Sequence, residues 1–108
     1  FKIIHCDDFQ TEGIDKIVDR IKKRVGNNAL YLSIDIDVLD PAFAPGTGTP
    51  EIAGMTTREI VNVIRGLSGM NLISADVVEV APAYDHAEVT SLAAATIVYE
   101  LTNLFAKK

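Results

Sequence analysis

Cysteine is almost missing from this sequence: Cys6 is alone among 108 residues. A single thiol excludes a disulfide framework and makes an intracellular, reducing compartment the expectation, cytoplasmic or mitochondrial. Positive charge is also scarce. Ten Lys and Arg stand against fifteen Asp and Glu, giving a net charge of −5 and a pI near 4.8. Such an acidic chain is a poor partner for nucleic acid or an anionic membrane, since both attract Lys and Arg. It does not oppose a cationic ligand. No apolar run approaches the roughly 18 residues that span a bilayer. Internal repeats, low-complexity stretches and a Walker-type phosphate loop are all absent, and histidine occurs only as His5 and His86. The chain opens at Phe1 rather than Met, which reads as a piece of a longer protein, so the lack of a leader says little about targeting.

What is present is one core's worth of apolar sequence, 48% of the residues, arranged as strand and helix in alternation. Lys2 to His5 is a short apolar start with strand character. Thr11 is placed to cap a helix running to Val25, with Ile14, Ile17, Val18, Ile21 and Val25 at helical spacing. Gly26 ends it. Ala29 to Ile36 reads as a buried strand. A loop rich in Pro and Gly follows, and then Thr56 and Glu59 form a capping box for a helix carrying Ile60, Val61, Val63, Ile64 and Leu67. Gly66 and Gly69 break that helix. Asn71 to Val80 is a second buried strand, stopped by Pro82. Asp85 caps a last helix over about 88–105, with Val89, Leu92, Ala93, Thr96, Ile97, Leu101 and Leu104 on its buried side. This order predicts an α/β fold: a parallel sheet with right-handed crossovers and helices on both faces. In such sheets ligands bind beyond the carboxyl ends of the strands. The loop after Ile36 and the residues around Glu79 are therefore where chemistry is expected.

Asp35 and Asp37 close the first strand. By strand alternation, residues two apart face the same way. Two adjacent carboxylates repel, and a hard divalent cation such as Mn²⁺ or Mg²⁺ removes that penalty with oxygen ligands. The alternative is structural, with one Asp capping a loop and the other paired with an Arg. The short motif alone does not separate the two.

The surrounding stretch is more specific. Ser33-Ile34-Asp35-Ile36-Asp37 is followed by Asp40-Pro41, Pro45-Gly46 and, after seven residues, Gly54. This resembles the signature of the ureohydrolases, the arginase and agmatinase family, with every fixed element at its spacing. Ala53 departs from the glycine that relatives often carry there. Ser74 to Asp85 resembles the family's next strand and turn, and the Ala- and Thr-rich helix after it is most similar to agmatinases. The likeness covers nearly the whole chain and is weakest over the first 28 residues. It implies that residues 1–108 are the C-terminal portion of a single three-layer catalytic domain, and that the full-length enzyme holds two Mn²⁺. Asp35 would bridge the two ions and Asp37 would bind one of them, so that a water is activated to attack a guanidinium carbon, releasing urea and an amine. Glu79 matches the acidic residue that holds the guanidinium; a carboxylate accepts two parallel N–H bonds from that planar cation. The expected substrate is a small guanidino compound, agmatine above all, with guanidinobutyrate and arginine as alternatives. The resemblance further implies a homo-oligomer, trimer or hexamer.

The family's remaining ligands, a histidine and an Asp-x-His-x-Asp segment, lie upstream and are not here. His5 leads into Cys6-Asp7-Asp8, which does not match, and His86 reads as a surface or rim residue. The chain by itself is thus expected to be inactive. Among the other residues, Asp40 is a turn builder before Pro41, and Gly46 and Gly48 supply unusual backbone angles. Cys6 is a small buried hydrophobe or inert thiol. Lys22-Lys23-Arg24 is a solvated helix face, and Tyr84 lines a pocket or packs beside Pro82. Asp76 has the opposite strand parity to Glu79 and is expected on the other side of the sheet. Two rival readings remain in view. A haloacid-dehalogenase-type phosphatase also places Asp-x-Asp after a strand, but its later Thr or Ser, Lys and paired acids are not found in order. A non-catalytic scaffold without metal is the other.

Overall fold

A computed structural model describes residues 1–106. The first 28 residues depart from expectation. Lys2 to His5 has no strand partner among the described residues and leads into a short helix, α1 (Cys6–Glu12). Gly13, at φ +84°, separates it from α2 (Ile14–Val25). Thr11 lies in α1 with its hydroxyl donating to the Asp7 carbonyl at 3.1 Å, so it caps nothing in α2. Hydrophobic spacing located α2 correctly, but a residue that prefers left-handed backbone broke the run before it. The basic residues Lys22, Lys23 and Arg24 occupy the last turn of α2, where cations complement the helix dipole.

Two parallel strands form the sheet, β1 (Leu30–Asp35) and β2 (Leu72–Val78). Ser33 pairs with Asp76 and Asp35 with Val78; Ile73 is an extra residue bulged out between Leu72 and Ser74. Helix α3 (Thr57–Gly66) begins at the expected capping box. The Glu59 amide donates to Thr56 Oγ1 at 3.1 Å, and the Thr56 amide to Glu59 Oε2 at 2.8 Å. Gly66 is the last residue of α3 rather than its breaker. A Cβ there would lie 2.8 Å from Val18 Cγ2, so glycine is what lets α3 close on α2.

The core lies on one face of the sheet. Leu32, Ile34, Ala75 and Val77 pack there with Ile60, Val63 and Ile64 of α3 and with Ala93, Ala94, Ile97 and Leu101 of α4 (Val89–Ala106). The opposite face presents Tyr31, Ser33, Asp35, Ser74, Asp76 and Val78, none of them buried. The α/β class and parallel pairing stand as expected. Helices, however, cover one face of these two strands among the described residues, not both.

Helix α4 is rotated from its expected setting. Leu92 is 69% exposed, and Val89 and Thr96 are also exposed, while Thr90, Ala94 and Glu100 are buried. Glu100 enters the interior because Arg65 of α3 grips it with two N–H groups, Nε at 3.0 Å and Nη2 at 2.5 Å. By length and composition α4 is long and apolar enough to cross a membrane, although polar residues interrupt any continuous apolar run. In this fold one side of it packs in the core, and its carboxylate is held by α3.

Candidate metal and substrate site

The site is built at the carboxyl ends of β1 and β2, and different local structures carry its residues. Asp35 is the last residue of β1. Asp37 lies in a single 3-10 turn, Ile36–Val38. Strand alternation therefore does not explain their proximity. The cause is capping: the Asp37 amide donates to Asp35 Oδ1 at 3.0 Å, turning the chain over the Asp35 carboxylate. Burial pushes the Asp35 carboxyl above its ordinary range. The Asp37 amide pulls it down, and the Asp37 side chain and the charges of Asp37 and Glu79 push it up again. Asp37 and Glu79 thus both act on the charge of Asp35.

Glu79 reaches this group by an unusual backbone. β2 ends at Val78, and Glu79 has φ +65°, a left-handed conformation that costs a non-glycine residue roughly 1–2 kcal/mol. Pro82 sits in a further 3-10 turn, Pro82–Tyr84, and does not itself stop the strand. β2 ends before Glu79, so strand alternation does not relate it to Asp76. Asp76 pairs with Ser33, two residues below Asp35 on the same open face. It accepts bonds from Ser33 Oγ at 2.6 Å and from the Tyr31 hydroxyl. These two donors hold the Asp76 carboxyl below its usual range, and the bond to Asp76 raises the Tyr31 hydroxyl.

The loop between the strands is tied at three places. Asp40 builds the turn, accepting from the Ala42 amide at 2.8 Å and the Ala53 amide at 3.0 Å. Ala53 has φ +66°, the conformation glycine would adopt freely. A Cβ on Gly54 would fall 2.5 Å from the Asp40 nitrogen, so the last signature glycine lets the returning chain lie against the end of β1. The middle tie was not foreseen. Gly46 donates to Thr90 Oγ1 at 2.8 Å and accepts from the Ala81 amide at 2.8 Å, joining the loop after β1 to the turn after β2. Gly46 and Gly48 do not have positive φ. Gly46 is required for close approach instead: a Cβ there would lie 2.9 Å from Asp85 Cα. Only Thr90, a hydroxyl at the start of a helix, hinted at this tie in sequence.

The remaining sequence candidates fall outside the centre. Tyr84 and His86 are exposed. Cys6 is exposed rather than buried, with Sγ 3.4 Å from the Ala53 carbonyl, because α1 lies on the rim of the loop.

Whether these residues suit a metal is a question of donor chemistry. Asp35 and Asp37 offer hard oxygens, and among the described residues no Lys or Arg pairs with them or with Glu79. Repelling carboxylates without an organic counter-charge fit a divalent cation. They do not complete its shell: no group of three or more His, Cys, Asp or Glu in a metal-binding arrangement occurs among the described residues.

Comparison with known proteins places this geometry in context. Residues 1–103 match the profile of the Arginase family. A protein of Schizosaccharomyces pombe (strain 972 / ATCC 24843) named "Putative agmatinase 1" is 60% identical over 107 residues, covering 99% of this chain and 27% of its own length. The crystal structure of a hypothetical agmatinase from Burkholderia thailandensis superposes with a TM-score of 0.94 at 46% identity, over 97% of this chain and 33% of that one. Proclavaminate amidino hydrolase from Streptomyces clavuligerus gives 0.96 at 40% identity, over 98% and 36%. The chain spans between 27% and 36% of the length of these relatives.

Proposed function

The chain belongs to the arginase family, and from that premise we propose that it is the C-terminal portion of a ureohydrolase catalytic domain that cleaves agmatine to putrescine and urea. Members of this family are binuclear metal enzymes. The observation that carries the proposal is the set of carboxylates at the ends of two parallel strands, Asp35 and Asp37 after β1 and Glu79 after β2, with no basic side chain among the described residues paired with them. Asp35 and Asp37 would hold metal, two Mn²⁺ with the help of upstream ligands. The ions would supply Lewis-acid chemistry, lowering the pKa of water so that hydroxide is available near neutral pH.

The chain's own residues have separate tasks. Glu79 orients the substrate. A guanidinium is planar and cationic, and a carboxylate can take two parallel N–H bonds from it, fixing the plane of the carbon to be attacked. Glu79 lies one residue past the end of β2 with left-handed backbone, and the Gly46–Ala81 and Gly46–Thr90 bonds tie the turn after β2 to the loop after β1. The acidic surround suits a dicationic product and substrate alike. Agmatine is favoured over arginine and guanidinobutyrate because the relatives that match this chain at high identity are named agmatinases. We further propose a homo-oligomer, trimer or hexamer, in the cytoplasm or mitochondrion.

The test is urea release by the full-length protein from agmatine, guanidinobutyrate and arginine, alongside metal analysis. Agmatine should be turned over fastest, with two metal equivalents bound per chain. Metal-loaded protein that releases no urea from any of the three would overturn the activity. Preference for another guanidino compound would overturn only the substrate.

A further inference from the structure

We infer that Thr49 is a positioning residue for Asp37. This rests on the metal-site reading above and adds a residue to it. The Thr49 hydroxyl donates to Asp37 Oδ2 at 2.9 Å, across twelve residues of chain. The Asp37 main chain is already fixed by the bond from its amide to Asp35 Oδ1. What remains free is rotation of the Asp37 side chain, and Thr49 holds that. One Asp37 oxygen is steadied by a neutral donor, which leaves the carboxylate's charge intact for a cation.

Thr49 is itself carried on a span pinned at both ends. Gly46 is bound to Thr90 and Ala81 on one side, and Ala53 to Asp40 on the other. Between them, from Gly48 to Ile52, the Thr49–Asp37 bond is the one hydrogen bond among the described residues. The loop tip has little else to hold it. Threonine's branched Cβ restricts its own rotamer, so the hydroxyl is presented in one direction. A carboxylate that must be ordered before it takes an ion gains affinity when that ordering is built in beforehand. Outer hydrogen bonds to metal ligands act in this way, and removing one typically weakens metal binding about 10- to 100-fold.

The competing view is that the bond only clasps the loop. Mn²⁺ titration of the metal-free full-length protein separates the two, with thermal unfolding of the metal-free protein run in parallel. Thr49→Val should weaken one of two Mn²⁺ equivalents about 10- to 100-fold and leave the other, with the metal-free Tm close to that of the parent. Thr49→Ser, which keeps the hydroxyl, should restore most of the lost affinity. Thr49→Val that binds both ions as tightly as the parent overturns the inference while leaving the metal site standing. So does a Ser variant as weak as the Val variant, or an affinity loss matched by a falling metal-free Tm. A parent protein that takes up no Mn²⁺ overturns the metal-site reading itself.

Discussion

Asp85 and Asp35 are both aspartates at the carboxyl end of this sheet, and their surroundings are opposite. Asp85 receives the amides of His86, Thr90 and Ser91 and the Ser91 hydroxyl, all at 2.9 Å. Burial alone would raise its carboxyl, but the bonds from Ser91 and Thr90 outweigh it and hold Asp85 far below the usual range. Asp35 has one amide donor and faces two more carboxylates, and its carboxyl is pushed up. The first region is finished within the chain; it starts α4 and seats Gly46. The second is electrostatically unfinished and calls for a cation. What separates the two aspartates is whether local donors satisfy the charge.

The largest effect should come from breaking the unfinished side. Glu79→Gln in the full-length protein keeps the side chain's size but turns one acceptor into a donor facing the substrate's own N–H. Losing a charged hydrogen bond and leaving a mismatch costs about 2–4 kcal/mol, or roughly 30- to 1000-fold in kcat/KM, with both metals retained. Asp37→Asn should instead lose or greatly weaken one metal equivalent. Metal analysis beside steady-state urea release distinguishes the pair, and a Glu79→Gln variant that is inactive only through metal loss would remove Glu79 from its assigned role.

On the finished side, Thr90→Val preserves shape and deletes the acceptor for the Gly46 amide, a buried bond. Stability should fall by about 1–3 kcal/mol, read as a lower midpoint in urea denaturation. Ala53→Gly should act in the other direction. It relieves the left-handed backbone at φ +66°, less the extra freedom glycine has when unfolded, for a gain of roughly 0.5–1 kcal/mol. A destabilised glycine variant would show that the Ala53 methyl is doing more than tolerating its place.

The smallest effect is in pH, and its sign differs between the two aspartates. Asp85 is lowered in the fold, so its stabilisation is present above the ordinary carboxylate range and is lost as pH falls below about 4. Asp35 is raised, so its contribution is present at low pH and is lost as pH rises through its shifted value. Tm against pH for metal-free Asp85→Asn and Asp35→Asn should therefore flatten on opposite sides. The two variants flattening the same side would erase the contrast between the regions.

Much of this was legible in the sequence, because it depends on short spacings. The capping box at Thr56, the strand before Asp35 and the turn at Asp40 follow from local rules. Periodic patterns do not extend through a residue whose backbone breaks them. Gly13 separates two helices, the 3-10 turn carries Asp37 off the strand, and β2 ends before Glu79, so alternation does not relate Asp76 to it.

By itself, then, the sequence determined the α/β order, the parallel pairing and the family, since each is encoded within a dozen or so residues. Only the tertiary structure decided which face of the sheet is open, why Gly46 must be glycine, that Glu100 lies inside against Arg65, and that Thr49 meets Asp37. Each of these is a contact between distant segments, set by how helices and loops close over the strands rather than by any periodicity along the chain.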